Sequence, residues 1–151
     1  MGKSAIFLCG ICIYFLGVVQ LTPVPYQHLS KEELHHIALE CIEEVNIDRA
    51  VIEKVLKTQI LPKENKKYKR YLECSYKKQG FLSPDGTQML YNNLFQFLQR
   101  FYDRSELHAL DQCKLIKAED GGELCFQNLD CILNGLRTIE NQKAIISNDI
   151  S

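Results

Sequence analysis

The chain has 151 residues, enough for one domain, with 46% hydrophobic and 25% charged residues. Seven Phe, seven Tyr and only four Pro exclude a disordered or collagen-like chain. Eighteen Lys plus Arg against nineteen Asp plus Glu leave a net charge of −1, without the basic surplus of a nucleic-acid binder.

Lys3 precedes an uncharged run from Ala5 to Val19, and Leu21, Thr22, Pro23, Val24 and Pro25 then break any helix. The run is too short to span a bilayer comfortably, so residues 1–20 read as a secretory signal peptide, with a membrane anchor as the competing reading. The small-residue rule leaves the cleavage bond open between Val18/Gln20 and Gln20/Thr22 as its flanks. Cleavage after Gln20 leaves about 131 residues, removes Cys9 and Cys12, and shifts the net charge to −2. The expected location is extracellular. No N-glycosylation sequon occurs after the leader.

Ser30 with Glu33 forms a capping box ahead of a helix whose apolar face is Leu34, Ile37, Ala38, Cys41, Ile42 and Val45. Asp48 is placed to cap a second helix carrying Val51, Ile52, Val55 and Leu56, stopped by Pro62. A third helix is predicted from about Glu64 to Gln79, with Tyr68, Tyr71 and Leu72 on one side and Gly80 ending it. Its basic run (Lys63, Lys66, Lys67, Lys69, Arg70, then Lys77 and Lys78) reads as a solvated face rather than an anion site. Ser83, Pro84, Asp85 and Gly86 make a turn.

The fourth helix, Gln88 to Tyr102, is the most apolar, with Leu90, Leu94, Phe97, Leu98 and Phe101 in one stripe and Tyr91, Phe95 and Tyr102 in another. A fifth from about Ser105 to Ala118 shows Leu107, Leu110 and Cys113 before Gly121 and Gly122 interrupt. A sixth, from about Glu123 to Asn141, carries Cys125, Leu129, Ile132, Leu133, Leu136 and Ile139. The tail 142–151 is polar apart from Ala144, Ile145, Ile146 and Ile150; it is expected to be flexible or to cover a cavity mouth. No stretch alternates with a period of two over strand length. The fold class is all-α: one compact bundle of about six helices over residues 21–151.

Five cysteines remain after the leader: Cys41, Cys74, Cys113, Cys125 and Cys131. In an oxidising compartment they favour disulfides, and their odd number leaves one thiol over. Spacing alone does not choose among the connectivities.

No Gly-x-Ser-x-Gly, His-Glu-x-x-His, phosphate-binding glycine loop or EF-hand loop is present, so no catalytic residue is assigned and no enzyme activity or cofactor is expected. His35, His36 and Cys41 are the nearest approach to a metal site, but adjacent histidines on a helix point about 100° apart. No metal is expected.

The cysteine intervals of 32, 38 and 17 residues, with the segment Cys74-Ser75-Tyr76-Lys77-Lys78-Gln79-Gly80-Phe81-Leu82 leading to Asp85-Gly86, resemble the insect pheromone-binding and general-odorant-binding proteins. The resemblance covers about Leu29 to Ile139. That family is all-α, with about six helices and six cysteines, and encloses a small hydrophobic ligand. Cys41, Cys74, Cys113 and Cys131 match its first, third, fourth and sixth cysteines. Arg70 and Gly122 stand at its second and fifth, as in the reduced-cysteine ("Minus-C") subgroup. The resemblance implies Cys41–Cys74 and Cys113–Cys131 disulfides, with Cys125 left as a buried free thiol.

The aromatic cluster on the fourth helix fills a core on the plainer reading. The resemblance turns it into a cavity wall, with Met89, Tyr91, Leu94, Phe95, Leu98, Phe126, Leu129, Ile132, Leu133 and Leu136 as the candidate ligand-binding residues. Tyr91 or Tyr102 is then the hydrogen-bonding group for a polar ligand head. The function expected is a secreted carrier of odorants, pheromones or lipid-like molecules. Its partners would be the ligand and a membrane receptor on delivery, with no stable membrane association. A monomer or weak homodimer is expected. The alternative is a secreted signalling or effector protein acting through its surface, with the basic run as its site.

Overall fold

The computed structural model describes residues 26–149, with side chains as far as Ser147. The leader, its cleavage site and the helix-breaking Leu21–Pro25 segment lie outside the described residues. Five α-helices and one 3-10 segment follow in order: α1 (Lys31–Val45), α2 (Arg49–Thr58), α3 (Lys66–Gln79), α4 (Tyr91–Leu98), the 3-10 segment (Glu106–Leu115) and α5 (Gly121–Asp149). There is no β-strand among the described residues beyond one isolated bridge, Leu82 to Met89.

The helix starts follow the local chemistry. The Ser30–Glu33 capping box forms in both directions, with the Glu33 amide donating to Ser30 Oγ at 3.1 Å and the Ser30 amide to Glu33 Oε2 at 2.7 Å. Asp48 Oδ1 takes the Ala50 amide at 2.9 Å, and Asn65 Oδ1 takes the Tyr68 amide at 3.0 Å. Gly80 ends α3 in the left-handed conformation, at φ 75°, which a side chain would strain.

α3 lies at the centre of the molecule, packed against α1 on one side and α5 on the other. Its buried face is Tyr68, Tyr71, Leu72, Ser75 and Tyr76. The 3-10 segment packs on α5 and touches α4. Two disulfides fix these contacts. Cys41–Cys74 ties α1 to α3 and Cys113–Cys131 ties the 3-10 segment to α5, each with a Cα–Cα distance of 5.8 Å. Cys125 is buried and free.

The structure differs from the sequence expectation at four places. The fourth helix ends four residues early, and it starts three late because residues 88–90 are drawn into extended pairing: the Ser83 amide donates to the Gln88 carbonyl at 2.8 Å and the Leu90 amide to the Phe81 carbonyl at 2.7 Å. The fifth element is a 3-10 helix, and its buried residues Leu107, Leu110 and Cys113 recur at the three-residue period of that helix. Gly121 and Gly122 open α5 instead of interrupting the chain, with Asp120 Oδ1 accepting the Glu123 amide at 2.9 Å. Leu56, expected on the apolar face of α2, is 76% exposed.

Those two glycines set how closely the helices approach. A Cβ on Gly122 would lie 2.9 Å from the Lys69 carbonyl oxygen, and one on Gly121 would lie 2.9 Å from the Gly86 carbonyl oxygen. Gly122 therefore sits directly against the backbone beside Arg70. Lys69 Nζ reaches Glu123 Oε2 at 2.6 Å across the same seam.

Much of the basic run is tied into the fold. Lys67 donates to the Asn46 carbonyl, Lys77 pairs with Glu73, and Lys78 bridges Glu40 and Glu44. α5 continues through the tail to Asp149, presenting Ile145 and Ile146 to solvent.

Candidate ligand-binding site

The candidate residues lie on α4, on α5 and in the bridge before α4. Leu94, Leu98, Phe126, Ile132 and Met89 are buried, Phe126 on the side of α5 that meets α3. Tyr91, Phe95, Leu129 and Leu136 are half-buried and pack against the same cluster. Leu133 is half-buried and lies outside that cluster. The Phe126 ring stands edge-on to Tyr68, and Lys69 Nζ lies 5.0 Å from its centroid.

Two clefts reach this region from outside. One, of about 440 Å³, is walled by Met89, Tyr91, Ile116, Ala118 and Leu124, with Thr87, Gln88, Lys114 and Lys117 at its rim. The other, of about 400 Å³, has Phe95 and Leu107 as its apolar floor and is otherwise polar. Both volumes fall in the range of small-molecule sites. Lys114 belongs to both clefts. Its ammonium pairs with Asp111 Oδ1 at 2.7 Å and lies 4.5 Å from the Phe95 ring centroid. Asp111, held by Lys114 and His108, keeps its carboxyl below the ordinary carboxylate range.

Of the ten candidates, Met89 and Tyr91 line the first cleft and Phe95 the second. Leu94, Leu98, Phe126 and Ile132 belong to the packed core. Tyr102, the other candidate hydrogen-bonding tyrosine, is committed to Glu140 Oε1 at 2.7 Å. Tyr91 is the tyrosine that faces a cleft.

The Tyr91 hydroxyl lies 2.7 Å from the Cys113 carbonyl oxygen and 2.6 Å from Asn128 Oδ1. Burial pushes its phenol upward. Asn128 is fully buried on α5, its Nδ2 donating to the Leu124 carbonyl at 3.0 Å. Sequence reasoning missed Asn128. The available signal was a lone amide one turn after Leu124, on the inward side of the sixth helix with Cys125 and Leu129.

Cys125 is fully buried, and burial pushes its thiol up to about 12. A thiol so far from ionising behaves as a small hydrophobe. No cluster of three or more His, Cys, Asp or Glu positioned to hold a metal occurs among the described residues. No helix among them is long and apolar enough to cross a membrane.

The arrangement of helices, two disulfides and an aromatic cluster agrees with a comparison against family models, in which the PBP/GOBP family matches residues 25–135. That family is one of binding proteins, and its general role is that of a small odorant- or pheromone-binding carrier. No curated protein and no solved structure matches the chain. With more than half its length covered and the fold in agreement, the chain belongs to the PBP/GOBP family.

Proposed function

We propose that this protein is a secreted carrier that takes one small hydrophobic ligand between α4, the 3-10 segment and α5 and moves it through extracellular fluid. The observation that carries the reading is the cleft of about 440 Å³ leading from solvent to the aromatic cluster, its wall formed by Met89, Tyr91, Ile116, Ala118 and Leu124. Met89 and Tyr91 meet the ligand first. Leu94, Phe95, Leu98, Phe126, Leu129, Ile132, Leu133 and Leu136 form the apolar wall that a longer ligand reaches by side-chain repacking.

Binding of this kind makes and breaks no covalent bond. Its driving force is removal of apolar ligand surface from water. A ligand of about 15 non-hydrogen atoms, at roughly 0.5 kcal/mol per atom, gains about 7.5 kcal/mol. That corresponds to micromolar affinity, strong enough to load and weak enough to release. Lys114, paired with Asp111 and set over Phe95, lines both clefts.

The test is a fluorescence titration of the disulfide-intact protein with an apolar naphthylamine probe. The reading expects saturable uptake at one site per chain and displacement by small volatile apolar compounds. A linear, non-saturating response with no displacement contradicts it. The surface-effector alternative expects charge reversal along Lys63, Lys66 and Arg70 to abolish an effect on cells while leaving probe uptake intact.

A further inference from the structure

The cleft of about 400 Å³ between α4 and the 3-10 segment carries polar groups that the carrier reading does not use. α4 and the residue after it supply three carboxamides, Asn92, Gln96 and Gln99, spaced i, i+4, i+7 along one helix face. The chain leading into the 3-10 segment supplies Arg104. None of these four side chains has a hydrogen-bond or ion-pair partner among the described residues. Asp111 is the one carboxylate lining the cleft, and both its oxygens are engaged: Oδ1 by Lys114 at 2.7 Å and Oδ2 by His108 Nδ1 at 3.0 Å. The charge left over is the Arg104 guanidinium. The floor is Phe95, half-buried, and Leu107, buried.

Solvent reaches all four unpartnered groups, and this decides what they can select. A neutral ligand exchanges hydrogen bonds to water for others of similar strength. An anion gains charge-assisted bonds, and a carboxylate matches the guanidinium fork with two parallel N–H···O contacts. A carboxylate only accepts, while the guanidinium and the carboxamide nitrogens donate. A floor of two side chains suits a compact flat body rather than a long chain. We propose that this cleft is a second ligand site, separate from the apolar one, for a small aromatic carboxylate. The ring lies on Phe95 and Leu107, the carboxylate on Arg104, and the carboxamide N–H groups are further donors. The site does not depend on the carrier reading, because the two clefts share Lys114 alone.

The test titrates the disulfide-intact protein with benzoate, and with benzamide as a neutral molecule of the same shape, following amide NMR resonances. Benzoate should give saturable shifts at one molecule per chain, centred on the side-chain amides of Asn92, Gln96 and Gln99. Benzamide should bind about tenfold more weakly, the difference between a charged and a neutral hydrogen-bonding partner. Arg104→Gln, at an exposed position, should bring benzoate down to the benzamide level, whereas Lys117→Gln at the rim of the other cleft should leave benzoate binding unchanged. Neither benzoate nor Arg104→Gln should alter uptake of the apolar fluorescent probe. No saturable benzoate binding, benzoate no tighter than benzamide, undiminished binding to Arg104→Gln, or displacement of the probe by benzoate each overturns the inference and leaves the carrier reading standing. Intact benzoate binding without saturable probe uptake supports the inference and overturns the carrier reading alone.

Discussion

Gly122→Ala is the substitution that most directly probes the seam between α3 and α5. The new methyl group would lie 2.9 Å from the Lys69 carbonyl oxygen, 3.1 Å from its carbonyl carbon and 3.2 Å from Asp120 Oδ1. The first two are backbone atoms inside α3, which cannot turn aside as a side-chain end can. Gly122 has no positive φ, so alanine is not strained by its own backbone and gains up to about 1 kcal/mol of helix propensity. Against this, forcing one carbon into close-packed structure costs about 1–3 kcal/mol. The steric cost outweighs the propensity gain, and the net expectation is a loss of about 1 kcal/mol, or roughly 4 °C in Tm for a domain of this size. Urea and thermal unfolding of the disulfide-intact variant measure it. A variant as stable as the parent, or more so, refutes the reasoning and means that α3 and α5 do not approach as closely as described.

Other outcomes follow from the same contacts. In the chain lacking residues 1–20, Cys125 should resist a thiol reagent at pH 8 in the folded state and react within minutes once unfolded, because burial holds its pKa at about 12; rapid native labelling contradicts this. Replacing Cys113 and Cys131 together by Ser should cost about 3 kcal/mol, the chain-entropy value for a loop closed over a sequence separation of 18, read as a lowered denaturant midpoint. Lys69→Met should change stability by less than about 1 kcal/mol, since the Lys69–Glu123 pair is partly solvated; a larger loss would mean the pair is buried. Glu106, Asp111 and Glu123 all have carboxyl pKa values lowered by lysine partners, so their contribution is present above the unfolded-state values of about 4 and is lost as pH falls through the lowered ones. Stability should therefore decline on acidification below about pH 4 with no matching loss between pH 5 and 8; a flat acid limb contradicts the pairings.

Some of this architecture can be read from local signals alone. Ser30 with Glu33, Asp48, and Gly80 each act within a few residues, and the structure places each cap where the sequence predicts it. The four paired cysteines follow a family pattern that spacing by itself does not supply, and both disulfides form as that pattern implies. What was hidden depends on packing that helical periodicity does not carry. The Ser83–Gly86 turn is legible, but not that Gln88 pairs back across it with Ser83, which removes it and Met89 from the aromatic helix. Gly121 and Gly122 look like an interruption until Lys69 and Gly86 are seen against them. Leu107, Leu110 and Cys113 fit one face of an α-helix nearly as well as a 3-10 helix, so periodicity does not separate the two. At the candidate site, Asn128 acquires its meaning only from Tyr91, 37 residues earlier in the chain.

The carrier reading is tested most directly by native mass spectrometry of the protein collected from secreting cells and titrated with an apolar alcohol. The reading predicts a chain lacking its leader, two disulfides and one free thiol, and a saturable one-to-one complex that survives transfer to the gas phase. A correctly oxidised chain that forms no complex at any ligand concentration, or loads several ligand copies without saturating, contradicts it.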